Sequence, residues 1–289
     1  MSPTPAQYSL RAANRADRPD IQRFTQSLAY THRHLDWRDP LEWLGRQPFW
    51  IMEKNGEMKA VLACIVEPDE VAWVRLFAVD HHLSPAWAWN ILFERVYADL
   101  KDLPGRPLIA VLGLQDWFSD MLVANKFKLF QEILVLSFET TPPPDLPPDP
   151  ALHIRKMRLE DLPEVVRIDN LAFESLWRLS DQDLARAFER SNYKTVLERR
   201  GKIAGYQMSA HNGFNAHLSR LAVDPVLQRM QLGSRLVRDV LHQFINQNSA
   251  WGVTLNTQNN NYASLALYQK IGFHLTGESF PVYVYPYHT

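Results

Sequence analysis

Two short stretches of this 289-residue chain bring together groups that could do chemistry. The first opens with Leu218-Ser-Arg-Leu-Ala-Val-Asp-Pro225, apolar on alternate positions at Leu221 and Val223, which reads as a strand stopped by the proline. A loop, Gln228-Arg229-Met230-Gln231-Leu232-Gly233-Ser234, then runs into Leu236, Val237, Val240, Leu241 and Phe244, spaced by three and four like the inner face of an amphipathic helix. A loop that turns into a helix start aims several unpaired N–H groups and the positive end of the helix dipole at one spot, and that spot suits a phosphate. The second stretch follows a short strand, Gly252-Val-Thr-Leu-Asn256. Here Asn259-Asn260-Asn261 precedes a helix carrying Leu265, Leu267 and Tyr268, closed by Gly272 with Phe273 behind it.

These residues resemble the GNAT superfamily of N-acetyltransferases. Its acyl-CoA motif is a strand ending Val-x-Pro, then Gln/Arg-x-x-Gly-x-Gly/Ala, then a helix; the chain has Val223-Asp224-Pro225, then Gln228 to Gly233, then Ser234-Arg235-Leu236. The second motif, Asn-x-x-Ala-x-x-Leu-Tyr-x-x-x-Gly-Phe, is similar to Asn261, Ser264, Leu267, Tyr268, Gly272 and Phe273, with serine in place of alanine. One departure stands out: Gln231 occupies the place of the first loop glycine, where a side chain opposes close approach of the backbone to a pyrophosphate.

The resemblance implies acetyl transfer from acetyl-CoA, as co-substrate, to an amine by direct attack. The cofactor-binding set it implies is the edge Leu221, Ala222 and Val223 for the pantetheine amides, the backbone of Gln228, Arg229, Met230, Gln231, Leu232, Gly233 and Ser234 for the pyrophosphate, and Asn261 beside the CoA arm. Tyr268 is the expected hydrogen-bond donor to the leaving thiolate. With a phenol near ~10 and a thiol near ~8.5, complete proton transfer runs uphill by roughly 2 kcal/mol, so a bond that tightens in the transition state is the expected role. An amine of the lysine kind must also lose a proton before it attacks. Glu174, His211 and His217 are the available bases, and Phe173, Glu174 and Trp177 are expected by analogy to border the acceptor pocket; Glu174 joins Tyr268 as the catalytic pair.

The elements that must position these groups repeat along the chain. Arg11, Asp17, Pro19 and Ile21 line up with Arg155, Asp161, Pro163 and Val165; Glu53 and Gly56 line up with Glu198 and Gly201; Leu76-Phe-Ala-Val-Asp80 resembles Arg220-Leu-Ala-Val-Asp224. A nearly constant offset of half the chain argues for a duplicated domain. The expected architecture is therefore α/β (α+β): two tandem GNAT-like domains, each a mixed, mostly antiparallel sheet flanked by helices. Residues 1–139 form a degenerate copy, 140–150 a proline-rich linker stiff enough to act as a spacer, and 151–289 the acetyl-CoA-binding domain. The first copy has His81-His82-Leu83-Ser84-Pro85 where a glycine loop would be, with Leu122 and Lys126 in the places of Tyr268 and Gly272.

Composition narrows the partners. A net charge of −1, without a basic run interleaved with aromatics, gives no reason to expect nucleic acid. No stretch approaches the roughly 20 apolar residues of a membrane helix, and no leader is visible, so a cytoplasmic location is the expectation. The single cysteine, Cys64, sits in an apolar strand-like run, and His32, His34, His81 and His82 fit no metal-ligand spacing, so no metal is expected. The tryptophans of the first half, Trp43, Trp50, Trp73, Trp89 and Trp117 among them, suit core packing or a wall over a substrate cleft. The expected partner is an amine acceptor, small molecule or protein, with a homodimer possible. A non-catalytic acyl-CoA-binding or sensing protein is the alternative reading, and an interaction scaffold a third.

Overall fold

The computed structural model describes residues 7–26, 30–68, 70–211, 213–246 and 250–286. The chain divides into two units, one of residues 1–130 with 280–289, the other of residues 131–279. The first unit contains β1 (Ser9–Ala12), α1 (Arg18–Gln26), β2 (Tyr30–Arg33), β3 (Phe49–Lys54), β4 (Glu57–Val66), β5 (Val71–Val79), α2 (Pro85–Lys101), β6 (Leu108–Leu112) and α3 (Asp116–Ala124). β7 (Lys128–Phe138) leads into the second unit, which contains β8 (Leu152–Lys156), α4 (Leu162–Ala172), α5 (Asp181–Arg190), β9 (Tyr193–Arg199) and β10 (Lys202–His211). It continues with β11 (Asn215–Val223), α6 (Leu232–Leu241), β12 (Gly252–Gln258) and α7 (Tyr262–Ile271), and β13 (His274–Tyr285) follows.

In the first unit β1, β3, β4 and β5 pair antiparallel, β5 pairs parallel with β6 over Val71–Trp73, and Val282–Tyr285 of β13 close the sheet antiparallel to β6. The second unit repeats this plan. β8, β9, β10 and β11 are antiparallel, β11 and β12 are parallel, and Ile133–Phe138 of β7 lie antiparallel to β12. Each sheet is thus mixed and mostly antiparallel, and each takes its last strand from the other half of the sequence. The units therefore differ from the sequence halves 1–139 and 151–289, because β12 and β6 satisfy their outer ladder with β7 and β13 respectively.

Both faces of the first sheet are covered, which explains why Val61-Leu62-Ala63-Cys64-Ile65 is apolar at every position. Ala60, Leu62 and Cys64 pack with α2 residues such as Trp89 and Leu92, while Val61, Ala63 and Ile65 pack with Ile21 of α1 and Trp43. Cys64 is fully buried, and that burial pushes its thiol pKa well up, away from reactivity. In the second unit, α6 and α7 lay Val237, Val240, Tyr268 and Ile271 against Leu218, Val253 and Leu255. Residues 140–150 do not hang free as a spacer. Within the second unit Arg235 donates to the Pro147 carbonyl and Arg238 to that of Pro144, each at 2.6 Å, and His242 lies 3.0 Å from Asp145, so the segment is strapped along α6.

The duplication is physical as well as textual. Arg11 donates to Asp17 and to Glu53 at 2.8 to 2.9 Å, and Arg155, 144 residues on, makes the same three-way bridge to Asp161 and Glu198 at 2.7 to 2.8 Å. Each bridge ties the first strand to the turn before the first helix and to the hairpin. In both units the central strand bulges at the same place: Arg75 in β5 and Ser219 in β11 are skipped in the pairing with the preceding strand.

β2 carries His32 into the core of the first unit, and His34 follows just past the end of the strand. His32 is fully buried, stacked 4.3 Å from Phe118, and desolvation pushes its pKa down to about 4; His34, against Trp73, is also pushed well below the usual 6.5 by burial and by Arg75. Because the folded pKa lies below the unfolded one, the unfolded state binds more protons between pH 6.5 and 4, and stability falls as pH is lowered through that window. His32 alone should cost about 2 kcal/mol between pH 7 and pH 5. The expected outcome in denaturant titrations at the two pH values is that His32→Phe narrows the gap by about that amount; an unchanged gap would show that His32 does not govern acid stability.

Candidate functional site

β11 pairs with β12 only from Asn215 to Leu218, opposite Gly252 to Leu255. Beyond Leu218 the strand bulges at Ser219 and keeps β10 as its partner as far as Val223, so on the β12 side the stretch Ser219–Val223 presents backbone groups outside the ladder. The three edge residues expected from sequence lie here, Ala222 buried and Leu221 and Val223 half-buried against Leu232 and Leu236 of α6. Gly205 of β10 makes this approach possible. A Cβ there would stand 2.8 Å from the Ala222 carbonyl oxygen, inside contact distance of backbone that cannot yield.

The strand passes into a turn, Pro225–Leu227, capped by Asp224, whose carboxylate accepts from the Val226 amide at 3.2 Å and from Arg167 at 2.6 Å. Asp224 is held below the usual carboxylate range, chiefly by its hydrogen bond with Arg167. Gln228, Arg229, Met230 and Gln231 follow as an exposed loop; Leu232 is buried and Gly233 and Ser234 half-buried as α6 begins. Arg229 and Gln231 have φ of 64° and 60°. Gln231, at the N-cap, thus adopts the left-handed backbone that glycine takes most easily, and its side chain is exposed, so the loop keeps its path without the glycine. The first amides of α6, those of Leu232, Gly233 and Ser234, have no acceptor within the helix and point with its dipole toward the loop.

α7 places Tyr268 on the same face of the sheet as α6. Its ring packs with Leu218, Val237 and Phe273, it is 7% exposed, and no hydrogen bond to its hydroxyl occurs among the described residues. Burial raises its pKa to about 12. Gly272, at φ 117°, ends the helix, and the amides of Gly272 and Phe273 both bond to the Tyr268 carbonyl at 3.1 and 3.0 Å, fixing that turn. Asn261 caps α7: its side-chain oxygen accepts from the Ser264 amide at 3.2 Å and its amide nitrogen lies 3.4 Å from Gln258.

The opposite face carries a feature that sequence reading missed. Asp169 of α4, fully buried, accepts two bonds of 2.8 Å from Arg220 and one from the Tyr206 hydroxyl. Arg220 also donates to the Trp177 carbonyl at 2.8 Å, and its guanidinium lies 3.5 Å from the ring centroid of Phe173. Burial and the Asp169 charge push the Tyr206 pKa well above 10. The turn from Phe173 to Trp177 is therefore bolted to the strand within the open edge, at Arg220. A signal was present: Arg220 stands where the first copy has Leu76, and a charge in a buried strand needs a partner.

Of the candidate bases, Glu174 is exposed on that bolted turn, across the sheet from Tyr268. His217 is adjacent to the point where the strands part, its Nδ1 2.9 Å from Thr254 Oγ1, with a pKa lowered by burial. His211 pairs opposite Ala216, at the far end of β11 from Val223, and stacks on Phe244 beside a cavity of about 410 Å³; it is not part of the opening. As for metal, Asp80, His81 and His82 bring their ligand atoms within 4.8 Å of one another, with both histidines exposed and Asp80 already engaged by Lys59 at 3.2 Å.

Residues 162–273 match the acetyltransferase (GNAT) family, so this segment is a GNAT acetyltransferase domain. The chain is 28% identical over 120 residues, 41% of this chain and 78% of the other, to a Bacillus subtilis (strain 168) protein named as a candidate ribosomal protein bS18-alanine N-acetyltransferase. Two solved structures share the fold along the chain. A GCN5-related N-acetyltransferase from Sphaerobacter thermophilus has TM-score 0.62 at 14% identity, covering 98% of this chain and 96% of that one. A tandem GNAT protein from the clavulanic acid biosynthesis pathway has TM-score 0.64 at 13% identity, covering 97% and 100%. Among the described residues no helix is long and apolar enough to cross a membrane.

Removing one member of the buried Asp169–Arg220 pair leaves an uncompensated charge. Asp169→Ala should cost about 3–5 kcal/mol of stability, measured by denaturant unfolding. A loss below about 1 kcal/mol would mean that the pair does not hold the turn.

Proposed function

We propose that the second unit transfers an acetyl group from acetyl-CoA to an amine by direct attack. The observation that supports this most is the unpaired edge Ser219–Val223 leading through one turn and a short loop into the start of α6, with the free Tyr268 hydroxyl on the same face. An extended pantetheine arm, with its two amides, suits such an edge as an added strand would. A diphosphate suits the amides around Gln231 to Ser234. Binding through main chain tolerates the change from glycine to Gln231, whose backbone already has the required sign of φ.

In the reaction the amine nitrogen forms a bond to the thioester carbonyl carbon, the C–S bond breaks, and CoA leaves as thiol after gaining a proton. Tyr268 donates a hydrogen bond to the sulfur as charge develops. With its pKa at about 12 and a thiol near 8.5, full transfer of the phenolic proton would run uphill by about 5 kcal/mol, so the tyrosine stabilises the thiolate and solvent supplies the proton. The amine must arrive neutral. We assign acceptance of its proton, through water, to Glu174, which is exposed on the turn held by Arg220 at the opposite face. The acceptor is a primary amine of a small molecule or a protein; the Bacillus subtilis relative, named for an alanine N-terminus, supports including protein N-termini.

Tyr268→Phe should lower turnover by ~10²-fold or more while acetyl-CoA affinity, followed by calorimetry, stays near wild type. Unchanged turnover would remove the tyrosine from the chemistry. Glu174→Gln should lower kcat/KM by ~10²-fold; a kcat/KM equal to wild type would assign the base elsewhere. Thiol release across a panel of amines separates this reading from a sensor that binds acyl-CoA without turnover.

A further inference from the structure

The first unit has the same parting of strands, and it is already filled. β5 pairs parallel with β6 only over Val71–Trp73, bulges at Arg75, and continues from Leu76 to Val79, the residues that stand 144 positions before Arg220 to Val223. In the second unit that edge is outside the ladder on the β12 side. In the first, β2 lies along it antiparallel, with Tyr30, Thr31, His32 and Arg33 opposite Val79, Ala78, Phe77 and Leu76. The His34 amide extends the ladder to the Arg75 carbonyl at 3.0 Å. We infer that β2 is a built-in occupant of the slot in the first unit, taking the place a pantetheine arm would take, so that the chain carries one acyl-CoA site and not two.

Several contacts hold this occupant in place. Arg75, the bulged residue, bonds Asp36 at 2.6 Å, both side chains less than a tenth exposed, and lies over Trp43. His32 Nε2 lies 3.3 Å from the Val74 carbonyl, its ring stacks on Phe118, and Tyr30 meets Trp117 edge-on at 5.2 Å. Both aromatic partners belong to α3, the counterpart of the helix that carries Tyr268. The strand comes from the region that follows the first helix, where the second unit has α5 instead. The phosphate cradle is gone as well: α2 begins at Pro85, which has no N–H, and Ser84 caps the Trp87 amide. A tethered strand competes at high effective concentration, so a free pantetheine would have to break the ladder and the buried ion pair together.

The inference rests on the preceding reading only for the single site in the second unit, and the test separates the two. Calorimetry of the full chain with acetyl-CoA should give a stoichiometry of one, and Gly233→Glu, which puts a carboxylate at the start of α6, should abolish all uptake. Hydrogen exchange read in parallel should show residues 30–34 and 75–79 protected equally with and without saturating acetyl-CoA, while residues 219–223 gain at least tenfold protection on binding. A stoichiometry of two, uptake surviving Gly233→Glu, or acetyl-CoA-dependent exchange at residues 30–34 would overturn the built-in occupant. No uptake and no change at 219–223, with 30–34 still protected, would instead overturn the reading of the second unit and leave the occupant supported.

Discussion

The organisation of the second unit follows from one broken ladder. β11 gives up β12 after Leu218 yet keeps β10 to Val223, and a bulge at Ser219 lets it do both. A strand edge inside a sheet is costly unless something pairs with it, because its amides and carbonyls are as demanding as any other backbone groups. The opening therefore leaves backbone groups that water or an extended, amide-bearing guest can satisfy. The same physics explains the first unit, where the chain itself satisfies them.

The surroundings of the opening supply charge and rigidity from separate sources. On one face, the start of α6 offers amides and a dipole, and the left-handed Gln231 turns the chain into it. On the other, the buried Asp169 carboxylate draws Arg220 and Tyr206 together and fixes the Phe173–Trp177 turn. A buried ion pair of this kind is weak evidence for net stability but strong evidence for geometry, since neither charge can leave without the other. Tyr268 lies on the α6 face, buried enough to remain protonated and left with a hydroxyl that no described protein group engages.

Duplication has been followed by divergence at defined points. The Arg–Asp–Glu bridge survives in both copies because it joins three elements that any such sheet must join. The left-handed residue after the last helix also survives as backbone geometry, with Lys126 at φ 68° where the second copy has Gly272. What changed is the region after the first helix and the loop after the central strand, the parts that border the opening. The first copy keeps the scaffold and has spent its opening on β2.

The sequence alone determined the duplication, the strand–loop–helix order from Leu218 to Phe244, the two motifs that match the family, and Tyr268 as the hydroxyl of interest. Those are local: alternation, three- and four-residue spacing, caps and a proline stop are written within a few residues of where they act. Only the tertiary structure decided that β7 and β13 each complete the sheet of the other half, that residues 140–150 are strapped to α6, and that Arg220 finds Asp169. It also decided where the strand Tyr30–Arg33 goes. Strand partners, like buried charge partners, are chosen by contacts between residues tens to hundreds of positions apart, and no short-range pattern records which edge a strand will join.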